Sequence, residues 1–186
     1  SKDDLKPVLN DVYIKIEPNK ITSVAPDGHR LVKYIQKKEK KTTTALTIPY
    51  KFLRIIKTNI KKTEKIKIKV DENTLSTQQG KFQISTRIIK ETFPDFNSVI
   101  PENNKTKAQV DVRVLTACVK RVSIFSNRIT KQTLLSFSKN GVIVSAQDPE
   151  NSTSAKEHID CIYEGEDITA SYNAKYLIEA LQNNPT

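Results

Sequence analysis

Tryptophan is missing from this 186-residue chain, cysteine and histidine occur twice each, and glycine occurs four times. So little glycine in a sequence that is 37% hydrophobic excludes low-complexity and disordered classes and leaves one or two packed globular domains. Cys118 and Cys161 stand 43 positions apart with no Cys-x-x-Cys pair, and His29 and His158 are too few and too far apart to complete a four-ligand centre. No metal and no cofactor are therefore expected, and both thiols read as reduced and packed in the core. Aromatic residues amount to 6%, which argues against a module that grips single strands by stacking bases. No apolar run approaches the ~20 residues needed to cross a bilayer. The N-terminal residues lack the charged-then-apolar pattern of a secretory signal, so a soluble, cytoplasmic protein is expected. The motifs GxxxxGK[ST], GxSxG, HExxH and DxDxDG are absent, and no paired carboxylates accompany a basic groove as a metal-dependent nuclease requires. The chain reads as a non-enzyme.

What the chain has in excess is positive charge. Its 31 Lys and Arg against 21 Asp and Glu leave a formal +10, a field that attracts polyanions such as nucleic acid. It also carries an echo of itself. Residues 9–27 (LNDVYIKIEPNKITSVAPD) align 121 positions later with residues 130–148 (TKQTLLSFSKNGVIVSAQD), placing Asn19, Ala25 and Asp27 on Asn140, Ala146 and Asp148. Both copies read as strand, turn, strand. Residues 47–59 (TIPYKFLRIIKTN) and 171–183 (SYNAKYLIEALQN), 124 positions apart, each read as a short strand entering an amphipathic helix. A domain-sized period in a chain about one and a half periods long suggests a window on an array of similar domains.

Strict alternation predicts strands through Val12, Ile14 and Ile16, through Ile66, Ile68 and Val70, through Val142, Val144 and Ala146, and through Ile159, Cys161 and Tyr163, each set on one sheet face. Turns are predicted at Pro18-Asn19, Asp27-Gly28, Asp71-Glu72-Asn73, Gln79-Gly80, Asn140-Gly141 and Glu164-Gly165. Three helices are predicted, over 49–59, 112–125 and 173–182. In the first, Phe52, Leu53, Ile55, Ile56 and Ile60 share one half of the wheel and Lys51, Arg54, Lys57 and Lys61 the other. In the second, Val114, Leu115, Cys118 and Val122 share a face, with Arg113 and Lys120 opposite beside Thr116 and Ser123. The polar run 37–44 reads as a solvated connection. Residues 101–105 (PENNK) read as a linker that puts a domain boundary near residue 104.

Two segments carry motifs. Residues 24–31 (VAPDGHRL) set an imidazole and a guanidinium on a tight turn between two strands, which the residues alone explain as a hairpin with flanking His and Arg. Residues 93–101 (FPDFNSVIP) hold two prolines and two aromatics, as a packed crossing loop does. Taken in order, APDGHRL, TIPYKFL, TRIIKETFPDFNSVIP, KRVSIFSN and YNAKYLIEAL resemble the bacterial DNA polymerase III beta subunit, the replicative sliding clamp family, over nearly the entire chain.

The resemblance implies an α+β DNA-clamp fold, in which repeated strand-helix-three-strand units put helices on the inner face of a ring and antiparallel sheets outside. It implies that residues 1–104 correspond to the middle domain without its first strand and helix, and residues 105–186 to the third domain without its last strands. The implied function is a non-catalytic processivity factor that encircles duplex DNA without sequence preference and tethers partners. Those partners are the DNA polymerase III alpha subunit, the clamp loader and other proteins with a clamp-binding motif; the full-length subunit forms a homodimeric ring, which this span is not expected to close. By resemblance Leu9, Gly28, His29, Arg30, Leu31, Pro94, Val99, Asn173 and Tyr176 surround a peptide-binding pocket between the two domains. Leu9, Leu31, Pro94, Val99 and Tyr176 would form its walls, and His29, Arg30 and Asn173 would orient the peptide. Lys51, Arg54, Lys57, Arg113 and Lys120 are the expected DNA-facing side chains. The chain departs from the family pattern at Pro26, where threonine is usual, at Ser98, where arginine is frequent, and in lacking the carboxy-terminal tail, so weaker peptide binding than in a complete subunit is expected.

Overall fold

The computed structural model describes residues 10–39, 43–61 and 66–183. Contacts divide the chain into two compact units, Ser1–Ile100 and Pro101–Thr186. In the first, strands β1 (Val12–Glu17), β2 (Lys20–Pro26) and β3 (Leu31–Lys37) form a meander, followed by β4 (Thr44–Ile48), helix α1 (Tyr50–Asn59) and a second meander of β5 (Lys67–Val70), β6 (Thr74–Gln79) and β7 (Phe82–Arg87). β4 returns to pair with β1, which gives one antiparallel sheet in the order β3-β2-β1-β4 and a second of β5-β6-β7.

The second unit runs β8 (Lys107–Gln109), α2 (Val112–Val122), β9 (Gln132–Ser138), β10 (Gly141–Asp148), β11 (Thr153–Ile159), β12 (Ile162–Glu164), β13 (Ile168–Asn173) and α3 (Ala174–Gln182). Its main sheet has the order β11-β10-β9-β13, and β12 pairs with β8. The chain thus passes twice through strand, helix and three-strand meander, at β4-α1-β5-β6-β7 and at β8-α2-β9-β10-β11.

The echo seen in the sequence is an echo of strand register. Glu17 pairs with Lys20 across the first hairpin as Ser138 pairs with Gly141 across its counterpart, and Val12 pairs with Ile48 as Thr133 pairs with Tyr172. Register is fixed because a one-residue slip turns every apolar side chain to the wrong face. Gly141 is required at its turn: at φ +121° a Cβ would come within 2.6 Å of both His158 Nε2 and the Ile159 carbonyl.

Each unit builds its own core. Leu46, Ile48, Phe52 and Leu75 are buried together in the first, with Ile14, Leu53, Ile56 and Ile84 packed against them. The second buries Leu115, Cys118, Val119 and Val122 of α2 against Leu135, Val142, Val144 and Ala146 of the sheet. Burying one such side chain contributes ~1.5–3 kcal/mol. Helix entry is fixed by carboxylates. Asp111 Oδ1 accepts from the Arg113 and Val114 N–H groups at 2.8 and 3.0 Å, and Asp11, far away in sequence, accepts from Tyr50 N at 2.8 Å to start α1 behind Pro49.

The apolar faces are covered only in part, and one expected strand is corrected. Ile55 is 42% exposed, because only Phe52, Leu53 and Ile56 reach the core and Ile55 sits at the edge of the apolar sector. Val114 is likewise exposed, whereas Val119, one turn beyond buried Leu115, is fully buried. Ile68 and Val70 share a sheet face with buried Leu75, yet both stay more than half exposed, since α1 covers β7 and β6 rather than β5. The strand expected through Ile159, Cys161 and Tyr163 breaks at Asp160-Cys161, where the chain leaves β10 and joins β8. The run read as a connection over 37–44 donates Lys37 to β3 and Thr44 to β4, and its residues 40–42 lie outside the described residues. Among the described residues no helix is long and apolar enough to cross a membrane.

Candidate functional site

The β2-β3 hairpin closes over four residues, Asp27-Gly28-His29-Arg30. Gly28 takes φ +83°, the left-handed backbone that favours glycine. Asp27 organises the rest. Its Oδ1 accepts from the His29 and Arg30 N–H groups at 3.1 and 2.8 Å, and its Oδ2 accepts from Arg30 Nε and Nη2 at 2.9 and 2.5 Å. Partial burial pushes the Asp27 carboxyl up, but the hydrogen bonds from Arg30 and from the two N–H groups outweigh it and hold the group below the usual carboxylate value. Asp27 is thus a turn-forming residue whose ion pair fixes the Arg30 guanidinium.

Facing this hairpin lies the segment 93–99. Asp95 caps a short 3-10 turn (Phe96–Val99) by accepting from Asn97 N at 3.0 Å, and Ser98 Oγ donates back to the Asp95 carbonyl at 2.7 Å. The segment is pinned to the sheet by side chains. The ring of Tyr13 on β1 stacks on Phe93 with centroids 4.8 Å apart and lies 6.0 Å from Phe96. Lys33 on β3 donates to Asn97 Oδ1 at 3.1 Å and sets its ammonium 5.2 Å over the Phe96 ring. Between hairpin and segment is an open depression of about 380 Å³, lined by Pro26, Gly28, His29, Arg30, Leu31, Phe93, Pro94, Asp95, Phe96 and Val99.

Six residues expected at a pocket, Gly28, His29, Arg30, Leu31, Pro94 and Val99, therefore line one depression of the first unit. Leu9 lies outside the described residues. Asn173 and Tyr176 belong to the second unit, where Asn173 caps α3: its Oδ1 accepts from Lys175 N and Tyr176 N at 3.0 and 3.4 Å while its Nδ2 donates to the Thr130 carbonyl at 2.9 Å. Tyr176 stands half-buried on the first turn of α3. Sequence reasoning missed Pro26, Phe93, Asp95 and Phe96 as lining and Tyr13 as support. The paired aromatics of 93–96 were visible, but their stacking partner is some 80 positions away in the chain.

The basic residues divide between two helices. Lys51, Arg54 and Lys57 share the exposed side of α1, opposite Phe52 and Ile56, and the Arg54 guanidinium lies 5.8 Å over the Tyr50 ring. Arg113 and Lys120 are exposed on α2. Arg121, next to Lys120, is turned instead to Glu157 on β11, with Nε 3.2 Å from Oε2 and a second contact from Nη2 to Oε1. No group of three or more potential metal ligands occurs among the described residues.

Comparison with known proteins agrees with this layout. The profile of the DNA polymerase III beta subunit central domain matches residues 1–95, and that of its C-terminal domain matches residues 97–184. The beta sliding clamp of Haemophilus influenzae is 27% identical over 183 residues and that of Vibrio cholerae 25% over 180, each alignment covering 96% of this chain and 49% of the relative. The chain spans about half the length of the curated relatives it matches. Among solved structures, DNA polymerase III subunit beta from Borrelia burgdorferi, in complex with a natural product, superposes with a TM-score of 0.90 at 24% identity, covering 100% of this chain and 50% of that one. The beta subunit from Thermotoga maritima gives 0.89 at 24%, covering 100% and 51%. With both halves matched in order, the chain belongs to the DNA polymerase III beta subunit family, to its central domain over 1–95 and its C-terminal domain over 97–184.

Proposed function

We propose that this chain acts as part of a ring-shaped, non-catalytic sliding clamp of DNA replication in the bacterial cytoplasm, and that its first unit carries the peptide-binding site through which partners are tethered. The observation that carries the reading is the depression between the β2-β3 hairpin and segment 93–99, with apolar walls of Leu31, Phe93, Pro94, Phe96 and Val99 and the polar groups His29 and Arg30 at its rim. An apolar groove with a few oriented polar groups is what anchors a short linear peptide. The polymerase alpha subunit, the clamp loader and other clamp-binding-motif proteins are the proposed occupants. By resemblance Asn173 and Tyr176 add to the peptide's contacts.

The exposed cations of α1 and α2, Lys51, Arg54, Lys57, Arg113 and Lys120, are assigned to duplex DNA. Flexible cations without base-reading groups give loose, sequence-independent phosphate contacts that allow sliding. Ring closure in a homodimer is assigned to the second unit's apolar surface at Ile124, Phe125 and Ile129, where Ile124 is 78% and Ile129 88% exposed.

Fluorescence-polarisation titration of a labelled clamp-binding pentapeptide tests the site, with Leu31→Ala, Val99→Ala and Tyr176→Ala variants. Saturable binding weakened by Leu31→Ala and Val99→Ala supports the assignment of the depression, and Tyr176→Ala reads the second unit's share separately. Binding indifferent to Leu31 and Val99 overturns it.

A further inference from the structure

The second sheet of the first unit has a strongly basic polar face. Pairing puts Lys67, Gln78 and Gln83 in one row, Lys69, Ser76 and Ser85 in the next, and Thr74 with Arg87 in a third. Side chains alternate across a strand, so these eight lie on the side opposite Leu75 and Ile84, which pack toward α1. The face carries three cations, two amides and three hydroxyls against one carboxylate, Asp71, whose N–H donates to the Thr74 carbonyl at 2.8 Å at the end of the third row and whose Oδ1 accepts from Glu72 N, so the face keeps an excess of positive charge. Among the described residues the side chains of Lys67, Lys69 and Arg87 have no ion-pair or hydrogen-bond partner, although lysines elsewhere do, as Lys15 and Lys20 do with Glu17. A depression of about 360 Å³ gathers Lys67, Lys69, Ser76, Gln78 and Gln83.

We propose that this face is a second nucleic-acid surface, separate from the helices, which holds a phosphate backbone through Lys67, Lys69 and Arg87. Uncompensated charge calls for an anionic occupant. A phosphate backbone is favoured over an acidic protein segment because stable protein interfaces are anchored by buried apolar or aromatic side chains, and this face has none. Phosphate contacts, by contrast, are made by Lys and Arg assisted by amide and hydroxyl side chains, which is the inventory here. The face has no aromatic platform, so bases are not stacked on it and binding is insensitive to sequence. The inference does not depend on the peptide site.

The test uses the whole chain and a labelled twenty-nucleotide oligo-dT strand at several salt concentrations. Replacing Lys67, Lys69 and Arg87 by serine is expected to weaken binding on the order of ten-fold at low salt and to flatten log K against log salt by about 2, at ~0.7 for each single-strand phosphate no longer neutralised. The triple variant Lys51→Ser, Arg54→Ser, Lys57→Ser should leave the contribution of this face in place. Lysine acylation of the unmutated chain, read by mass spectrometry, needs no variant: oligo-dT should shield Lys67 and Lys69 together. Unchanged affinity and slope in the sheet variant, or equal acylation with and without the strand, overturns the proposal. So does equal shielding by an oligoglutamate of the same charge, which makes an acidic protein segment the occupant.

Discussion

Thr133 has no exposed surface, and its Oγ1 is a buried polar atom with no hydrogen-bond partner. It sits on β9 opposite Tyr172 of β13, at the place where the first unit's sheet has Val12 opposite Ile48. A hydroxyl left unpaired in a core costs ~1–3 kcal/mol by mutational measure. Thr133→Val removes that penalty and adds a buried methyl, for which the burial of one carbon gives a scale of ~0.8 kcal/mol. Both side chains are β-branched and equally stiff in a strand, so backbone and rotamer preferences stay the same. The two contributions sum to about 2–4 kcal/mol, and with an imperfect fit of the added methyl the expected outcome is a gain of about 1–3 kcal/mol for the second unit. Native-state hydrogen exchange at amides of β9 and β10 reads that unit's opening free energy without assuming that both units unfold together. In a scanning melt the corresponding transition should rise by ~4–8 °C per kcal/mol, as for a domain of this size. Thr133→Ala, which leaves a void, should lose stability in the same assay. A valine variant that is neutral or less stable refutes the reasoning, because it would mean that the hydroxyl is satisfied.

Tyr13→Leu keeps a large apolar side chain but removes two ring contacts worth ~0.5–1.5 kcal/mol each; pentapeptide affinity should fall although Tyr13 does not line the depression, and unchanged affinity would show that segment 93–99 is held by other contacts. Asp27 titrates below its usual 3.8. Its contribution to stability is therefore complete above that value and is lost as pH falls through the depressed folded-state midpoint; carboxyl NMR should find that midpoint below 3.8 and should find it raised by Arg30→Ala. Burial, with Glu157 nearby and Arg121 partly opposing, pushes the Cys118 thiol up to about 11, so at pH 8 only about one molecule in a thousand carries its thiolate. Iodoacetamide at that pH should label the half-buried Cys161 well before Cys118, and the reverse order would contradict the packing of α2. Serine at Lys51, Arg54 and Lys57 should reduce the salt slope of duplex binding by up to about 0.9 for each phosphate left without its cation, and an unchanged slope removes α1 from the DNA assignment.

Topology was legible because it is written locally and twice. Alternating apolar residues and turn residues mark each hairpin, and the offsets of 121 and 124 positions recover the pairings Ser138 with Gly141 and Thr133 with Tyr172 from those of their counterparts. Helix faces were legible to within one position at their edges, where the wheel cannot say how wide the covering surface is; hence Ile55 and Val114 stay in solvent. The site was legible only through motif resemblance. The stacking of Tyr13 on Phe93 and the reach of Lys33 to Asn97 join residues distant in the chain, and periodicity carries no information about such contacts. The basic face of the β5-β6-β7 sheet was hidden differently: its charges are unremarkable in order, and only the pairing register brings them into one surface.

The two units share a scaffold, and the candidate pocket follows from the few places where they differ. Asp27 and Asp148 stand at equivalent positions, the first just after β2 and the second as the last residue of β10, and both take up N–H groups of the turn that follows, Asp148 from Glu150 at 3.2 Å. In the second unit that hairpin pairs one step further, to Asp148 with Thr153, and the Asp148 side chain binds Asn151 rather than an arginine. Pairing in the first unit stops at Pro26 with Leu31, which leaves Asp27 to hold Arg30 at the mouth of the depression. The position of Tyr13 is occupied in the second meander by Leu134, which offers no ring on which a following segment can stack. Pairing that ends one position earlier, an arginine and one tyrosine thus help turn a repeated sheet into the groove of the first unit. Transplanting them supplies the complementary test: Leu134→Tyr alone should create no peptide site, because the turn after β10 carries no counterpart of the Asp-Gly-His-Arg sequence that fixes Arg30 in the first unit.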